Sequence, residues 1–189
     1  MKTVFNRFPS LRLISGACLA GAFVVSLSIV AAAKQPGSNS VPIQLEAMHK
    51  LDFLAGRWSG PVTIMRGPGQ PLRLMQSEDV QYKLGGLVLL VEWKSTNAAG
   101  KVEFSALATI SYDDATGAYH IRAYNGGHYV DSKLSLLSQG FSWSFPAGPV
   151  HIVNTMHVTA KGEWQEVSEV VMEGAPPRPS VRMLLRHQP

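Results

Sequence analysis

From Gly56 onward the apolar side chains recur at every second residue, and this period constrains the chain more than any other feature. A period of two sends alternate side chains to opposite faces of an extended strand, so one face can be buried while the other stays wet. The alternation runs through segments 57–65, 71–83, 87–95, 101–111, 118–124, 129–137, 140–145, 150–159, 163–172 and 180–187. Turn formers separate them: Gly67-Pro68-Gly69, Gly85-Gly86, Asn97 to Gly100, Asp113 to Gly117, Asn125-Gly126-Gly127, Pro146 to Pro149, Lys161-Gly162 and Gly174 to Pro177. Short strands punctuated at near-regular intervals predict a sandwich or a barrel. No second long helical pattern is present, which excludes a doubly wound α/β sheet. About ten sequential strands on short loops close most simply as an antiparallel up-and-down barrel, because closure removes both free edges. The expected fold is therefore all-β with one short N-terminal helix. Pro42 suits the first turn of that helix, Ile43, Ala47, Leu51 and Leu54 follow at helical spacing, and Gly56 ends it.

The first 33 residues follow a different logic. Lys2, Arg7 and Arg12 precede a charge-free apolar run over 13–33 that ends in Ala31-Ala32-Ala33. A basic start, an apolar middle and small residues where a signal peptidase reads predict a secretory signal cut after Ala33. A run of this length would also span a bilayer if it were retained as an anchor. Gly16, Gly21, Ser15, Ser26 and Ser28 dilute the run, and its small-residue ending favours cleavage. Cys18 stands at the start of the run, whereas a lipidated cysteine should follow one, so a lipoprotein is the weakest reading. The expected organisation is a cleavable signal peptide over 1–33, a flexible polar linker over 34–41 and a single barrel domain over 42–189. The expected location is periplasmic or secreted.

Charge changes meaning with that division. The whole chain carries +4, which hints at nucleic acid, but removing Lys2, Arg7 and Arg12 and no acidic residue leaves +1. The single cysteine goes with them. A near-neutral, thiol-free domain has no electrostatic case for nucleic acid and no thiolate metal site. It suits an oxidising compartment, and after cleavage no segment remains to hold it stably on a membrane.

Parity then assigns faces. Leu89, Val91 and Trp93 point inward, as do Val102, Phe104, Ala106, Ala108 and Ile110, then Tyr119 and Ile121. Phe141, Trp143 and Phe145 follow, and then Val150, Ile152, Asn154, Met156 and Val158. Small residues such as Ala106 and Ala108 among aromatic ones give up volume, which a ligand can occupy. The rival expectation is that the rings fill that space.

Three motifs carry a family resemblance. They are Leu51-Asp52-Phe53-Leu54-Ala55-Gly56-Arg57-Trp58-Ser59-Gly60, the hairpin Ser111-Tyr112-Asp113-Asp114-Ala115-Thr116-Gly117-Ala118-Tyr119, and Trp164-Gln165-Glu166-Val167-Ser168-Glu169. The last is followed by Gly174 and a closing Met183-Leu184-Leu185-Arg186. In this order they resemble a bacterial lipocalin-like (calycin superfamily) domain, distantly similar to nitrobindin-type barrels, over roughly residues 45–188. The resemblance implies a barrel of about ten strands with the helix near one end. It also implies that the first-strand Trp58 closes the barrel floor under an arginine from a late strand, here Arg182 or Arg186. Such a cation–π contact is worth about 0.5–2 kcal/mol, and the role of all three residues would be structural.

Nitrobindin-type barrels bind haem, so the histidines need testing. The second half of that family's G-x-W-x-G-x-G-x-Y-P signature is missing, since this chain runs Gly60-Pro61-Val62-Thr63-Ile64-Met65. By parity His120, His151 and His157 face outward, His128 lies at a glycine turn and His49 is on the helix. Only His187 has inward parity. An axial ligand must project into a protected apolar pocket, so no haem or other cofactor is expected. His151 and His157 are separated by about 20 Å at strand rise, too far to share an ion, and no metal site is expected.

Catalytic constellations are sparse. Asp113-Asp114, followed by Ala115-Thr116-Gly117, reads as a hairpin turn and not as a carboxylate pair. Glu163, Glu169 and Glu173 share a face, while Glu166 has the opposite parity and can point inward beside Trp164. A buried carboxyl there would have a raised pKa and would be the one acid/base candidate. Nucleophile elbows, H-E-x-x-H and phosphate loops are absent, so no catalytic residue is assigned. The leading expectation is an exported, non-enzymatic barrel that takes a small hydrophobic or amphipathic ligand. Trp93, Phe104, Tyr119, Trp143 and Met156 would line the site, with Asn154 as polar anchor. The alternatives are a haem-binding or enzymatic barrel using Glu166 or His187, and a structural envelope protein with a filled core.

Overall fold

The computed structural model describes residues 40–67 and 69–189. The expected signal peptide over 1–33, with Cys18, and residues 34–39 of the expected linker lie outside the described residues. The chain forms one helix, α1 (Ser40–His49), and ten strands: β1 (Gly56–Ile64), β2 (Leu72–Lys83), β3 (Val88–Thr96), β4 (Val102–Asp113), β5 (Ala118–Asn125), β6 (His128–Leu137), β7 (Gly140–Ala147), β8 (Val150–Val158), β9 (Trp164–Val171) and β10 (Arg178–Gln188). Every strand pairs antiparallel with its sequence neighbours, and β1 pairs with β10 to close the barrel. Each expected strand is present with its ends displaced by no more than two residues.

Short turns set this register. Asn125 pairs with His128 around Gly126 and Gly127, both at positive φ, which is what a two-residue hairpin turn matched to strand twist requires. Asp113 caps the β4–β5 turn: it accepts hydrogen bonds from the Ala115 N–H (3.0 Å) and the Thr116 hydroxyl (2.7 Å). The Thr116 hydroxyl and then the backbone N–H donors lower the Asp113 pKa, so this carboxylate is a turn anchor. Gly60 serves closure, because a Cβ there would sit 2.1 Å from the Leu184 carbonyl oxygen and hold β1 away from β10.

The helix covers one end of the barrel. It begins at Ser40, so Ser40 and Val41 belong to α1 and not to a linker. Ile43, expected on its buried face, is exposed, while the next residue, Gln44, donates to the Asp114 carboxylate (2.8 Å) in the β4–β5 turn. Ala47 and Met48 are buried, followed by Leu51 and Leu54 in the turn that leads into β1. Two tyrosines bind helix carbonyls: Tyr119 donates to Ala47 (2.6 Å) and Tyr82 to Met48 (2.7 Å), with the Asp52 carboxylate also 2.7 Å from the Tyr82 hydroxyl. Burial, and then the Asp52 carboxylate, push the Tyr82 pKa up. Beneath the helix Val80, Leu89, Ile110, Met156, Trp164 and Leu185 form a closed apolar floor.

Candidate functional site

Above the floor the interior is hollow. A cavity of about 440 Å³ lies within the barrel, in the size range of small-molecule sites. Its aromatic walls come from β3, β4 and β7, where Trp93 stacks with Phe104 at 6.5 Å and Trp143 with Phe145 at 5.2 Å. These residues stand toward the end opposite α1, and Phe104, 38% exposed, marks the mouth. Arg66, just beyond β1, lines the same mouth.

Between floor and mouth runs a polar belt. Glu78, Glu166 and Asn154 each sit two positions nearer the mouth than a buried floor residue of their own strand: Val80, Trp164 and Met156 respectively. Period-two alternation therefore aims all three inward. On one side the Ser95 hydroxyl donates to the Gln76 side-chain oxygen, and the Gln76 amide donates to Glu78 (3.2 Å). On the other side the Trp164 indole donates to Glu166 (3.2 Å), and the Ser168 hydroxyl donates to Asn154 Oδ1 (2.6 Å). Asn154 Nδ2 has no partner although the residue is only 6% exposed. A buried donor left unpaired costs about 1–3 kcal/mol, so this position holds an unused capacity for an acceptor.

The two belt carboxyls are the electrostatic feature of the cavity. Burial first, and then the charge of Glu166, push the Glu78 pKa up to about 8, against the Gln76 amide that lowers it. Burial likewise pushes Glu166 up to about 7, with the Trp164 indole opposing. Both line the cavity; Glu78 is buried and Glu166 half-buried, in keeping with the stronger shift of Glu78. Because the Glu166 charge disfavours ionisation of Glu78, the pair loses its protons in steps near neutral pH.

Of the six residues that parity assigns to a ligand, Trp93, Phe104, Trp143 and Asn154 line the cavity. Tyr119 and Met156 point inward but at the floor: Tyr119 is tied to α1, and Met156 is fully buried. The Trp58 contact differs from its expected form. Trp58 is buried, donates to the Leu54 carbonyl (2.8 Å) and meets the edges of Trp164 (5.7 Å) and His187 (4.9 Å). No arginine covers it among the described residues. Arg182 and Arg186 alternate with the inward Met183 and Leu185, so both face outward, and Arg186 pairs with Glu163 at 2.9 Å. His187 occupies the arginine's place against Trp58 and Gly56, outside the cavity.

Among the described residues no histidine lines the cavity, and no group of three or more His, Cys, Asp or Glu is arranged for a metal ion. The donors present are carboxyls, amides and hydroxyls, which do not fit a histidine-ligated haem. Sequence reasoning singled out Glu166 and passed over Glu78 and Gln76. The signal was present: both are in phase with Leu74, Val80 and Tyr82, so polar groups interrupt an apolar inward face.

No protein-family model matches the chain, and no curated protein matches it in sequence. Among solved structures it is similar to Rv2717c from M. tuberculosis, with a TM-score of 0.58 and 14% identity. That similarity covers 76% of this chain and 98% of the other. At this identity the likeness concerns the fold.

Proposed function

We propose that this protein is a lipocalin-like carrier or receptor that holds one small amphipathic molecule inside the barrel. The observation that carries this reading is the cavity of about 440 Å³, apolar at its floor, aromatic toward its mouth and polar in a belt where Asn154 Nδ2 lacks a partner. Apolar walls supply affinity through burial, and a few placed polar groups orient the guest. A core evolved only for stability gains by filling such space, since empty volume forfeits contacts, and this argues against a purely structural role. The haem alternative has no histidine among the described residues of the cavity to carry it. The basic start and Ala31-Ala32-Ala33 ending of the N-terminal segment support action after export.

Native mass spectrometry of protein purified from its own host tests this reading. The expected spectrum shows the barrel with a bound mass that disappears on mild activation. A protein that is empty as isolated, and stays empty with every amphiphile offered, would contradict the proposal.

A further inference from the structure

We infer that the cavity selects an organic cation, with its ammonium group between the Glu78 and Glu166 carboxylates and an acceptor oxygen in reach of Asn154 Nδ2. This rests on the ligand-binding reading above and adds the charge and chemical class of the guest. Three observations carry it together. The first is the imbalance of charge: Glu78 from β2 and Glu166 from β9 face one apolar cavity, and among the described residues no lysine or histidine lines it. The basic side chain that does line it, Arg66, stands at the mouth, past the end of β1. Each carboxyl has a single neutral side-chain donor, Gln76 for Glu78 and Trp164 for Glu166, so most of their acceptor capacity is unspent. An anionic guest would oppose ionisation of either carboxyl, whereas a cation favours it and offsets the repulsion between the two once they are charged.

The second observation is the wall. Trp93, Phe104, Trp143 and Phe145 offer aromatic faces, whose negative quadrupoles favour an alkylammonium over an uncharged group of the same shape. The third is Asn154. Its Oδ1 is taken by Ser168, so the unpaired Nδ2 calls for an acceptor that a simple alkylamine lacks and an amino alcohol or a choline-type ester carries. Among the described residues no group of three or more His, Cys, Asp or Glu is arranged around a metal ion.

The groups that respond to pH in contact with the guest are Glu78 and Glu166; the basic side chain lining the cavity, Arg66, stands at its mouth. Because burial and mutual repulsion hold both carboxyls partly protonated near neutrality, a bound cation displaces protons and its affinity rises with pH.

The test compares octanoylcholine with its dimethylbutyl ester, the uncharged carbon isostere, and with octanoate, following intrinsic tryptophan fluorescence of the barrel. At about pH 9 the cation is expected to bind at least about tenfold more tightly than the isostere, and octanoate more weakly than both. That preference should shrink to about threefold or less at about pH 5, and in the Glu78→Gln/Glu166→Gln variant at about pH 9. The single Glu166→Gln variant, a change of one atom at a partly exposed site, serves if the double variant does not fold. If the isostere or octanoate binds as well as the cation, the inference is overturned while ligand binding stands. If none of the three binds, both fall.

Discussion

At the end covered by α1, the inward side chains Val80, Leu89, Ile110, Met156 and Leu185 are almost fully buried and interlock under Leu51 and Leu54. At the opposite end the same alternating strands carry Trp93, Trp143, Phe145 and the partly exposed Phe104 around open volume. Both ends use large apolar residues on the same inward face. What separates them is the cover: the helix closes the first and buries its side chains, and among the described residues no helix crosses the second. The lesson is that parity decides which way a side chain points, while distance from the helix decides whether it fills the floor or lines the cavity.

Substitutions at the two ends can break this comparison. The largest expected effect is at the floor. Trp58→Ala removes the ring packed against Trp164 and His187 and should cost about 3–5 kcal/mol in chemical denaturation while leaving ligand affinity nearly unchanged. An unchanged denaturation midpoint would remove Trp58 from the plug.

The belt comes next. Both carboxyls have folded-state pKa values raised above the ordinary value of 4.5. Between about pH 4.5 and 8 the folded protein keeps protons that the unfolded chain has released, so its stability falls as pH rises through that window and levels off above it. Glu78→Gln should flatten the profile and stabilise the protein by about 1–3 kcal/mol at the alkaline end. A melting temperature that climbs over the same window would contradict the burial of these groups.

Smaller effects sharpen the contrast. Tyr119→Phe deletes the hydrogen bond to the Ala47 carbonyl and should cost about 1 kcal/mol, seen as faster amide exchange in α1. Phe104→Ala at the mouth should cost less than about 1 kcal/mol of stability but weaken the binding of an apolar probe severalfold. If Phe104→Ala destabilises as much as Trp58→Ala, the two ends do not differ in kind.

The barrel was legible because a period of two, broken by glycine turns, leaves few alternatives. Asn125-Gly126-Gly127 and Asp113 to Gly117 fall at the expected hairpins with the expected chemistry. The site was half legible. Trp93, Phe104, Trp143 and Asn154 reach the cavity because their parity is inward and their strands carry them past the floor. Tyr119 and Met156 share that parity, but depth along a strand depends on where the helix docks, and local sequence does not record the docking. The arginines expected over Trp58 failed on parity itself: Arg182 and Arg186 alternate with buried Met183 and Leu185. Glu78 was readable as a carboxylate in phase with Leu74 and Val80, yet its meaning depends on Glu166, far away in sequence and near only once the barrel has closed.

The indole N–H spectrum offers the most direct test of a ligand cavity above a structural floor, because the four tryptophans divide between the two regions. Trp93, Trp143 and Trp164 line the cavity, whereas the Trp58 indole is bound to the Leu54 carbonyl at the floor. On titration with the uncharged octanoyl ester, the Trp93 and Trp143 signals should move most, Trp164 less, and Trp58 should stay in place. Movement confined to Trp58, or four signals unmoved at saturating ester, would contradict the account.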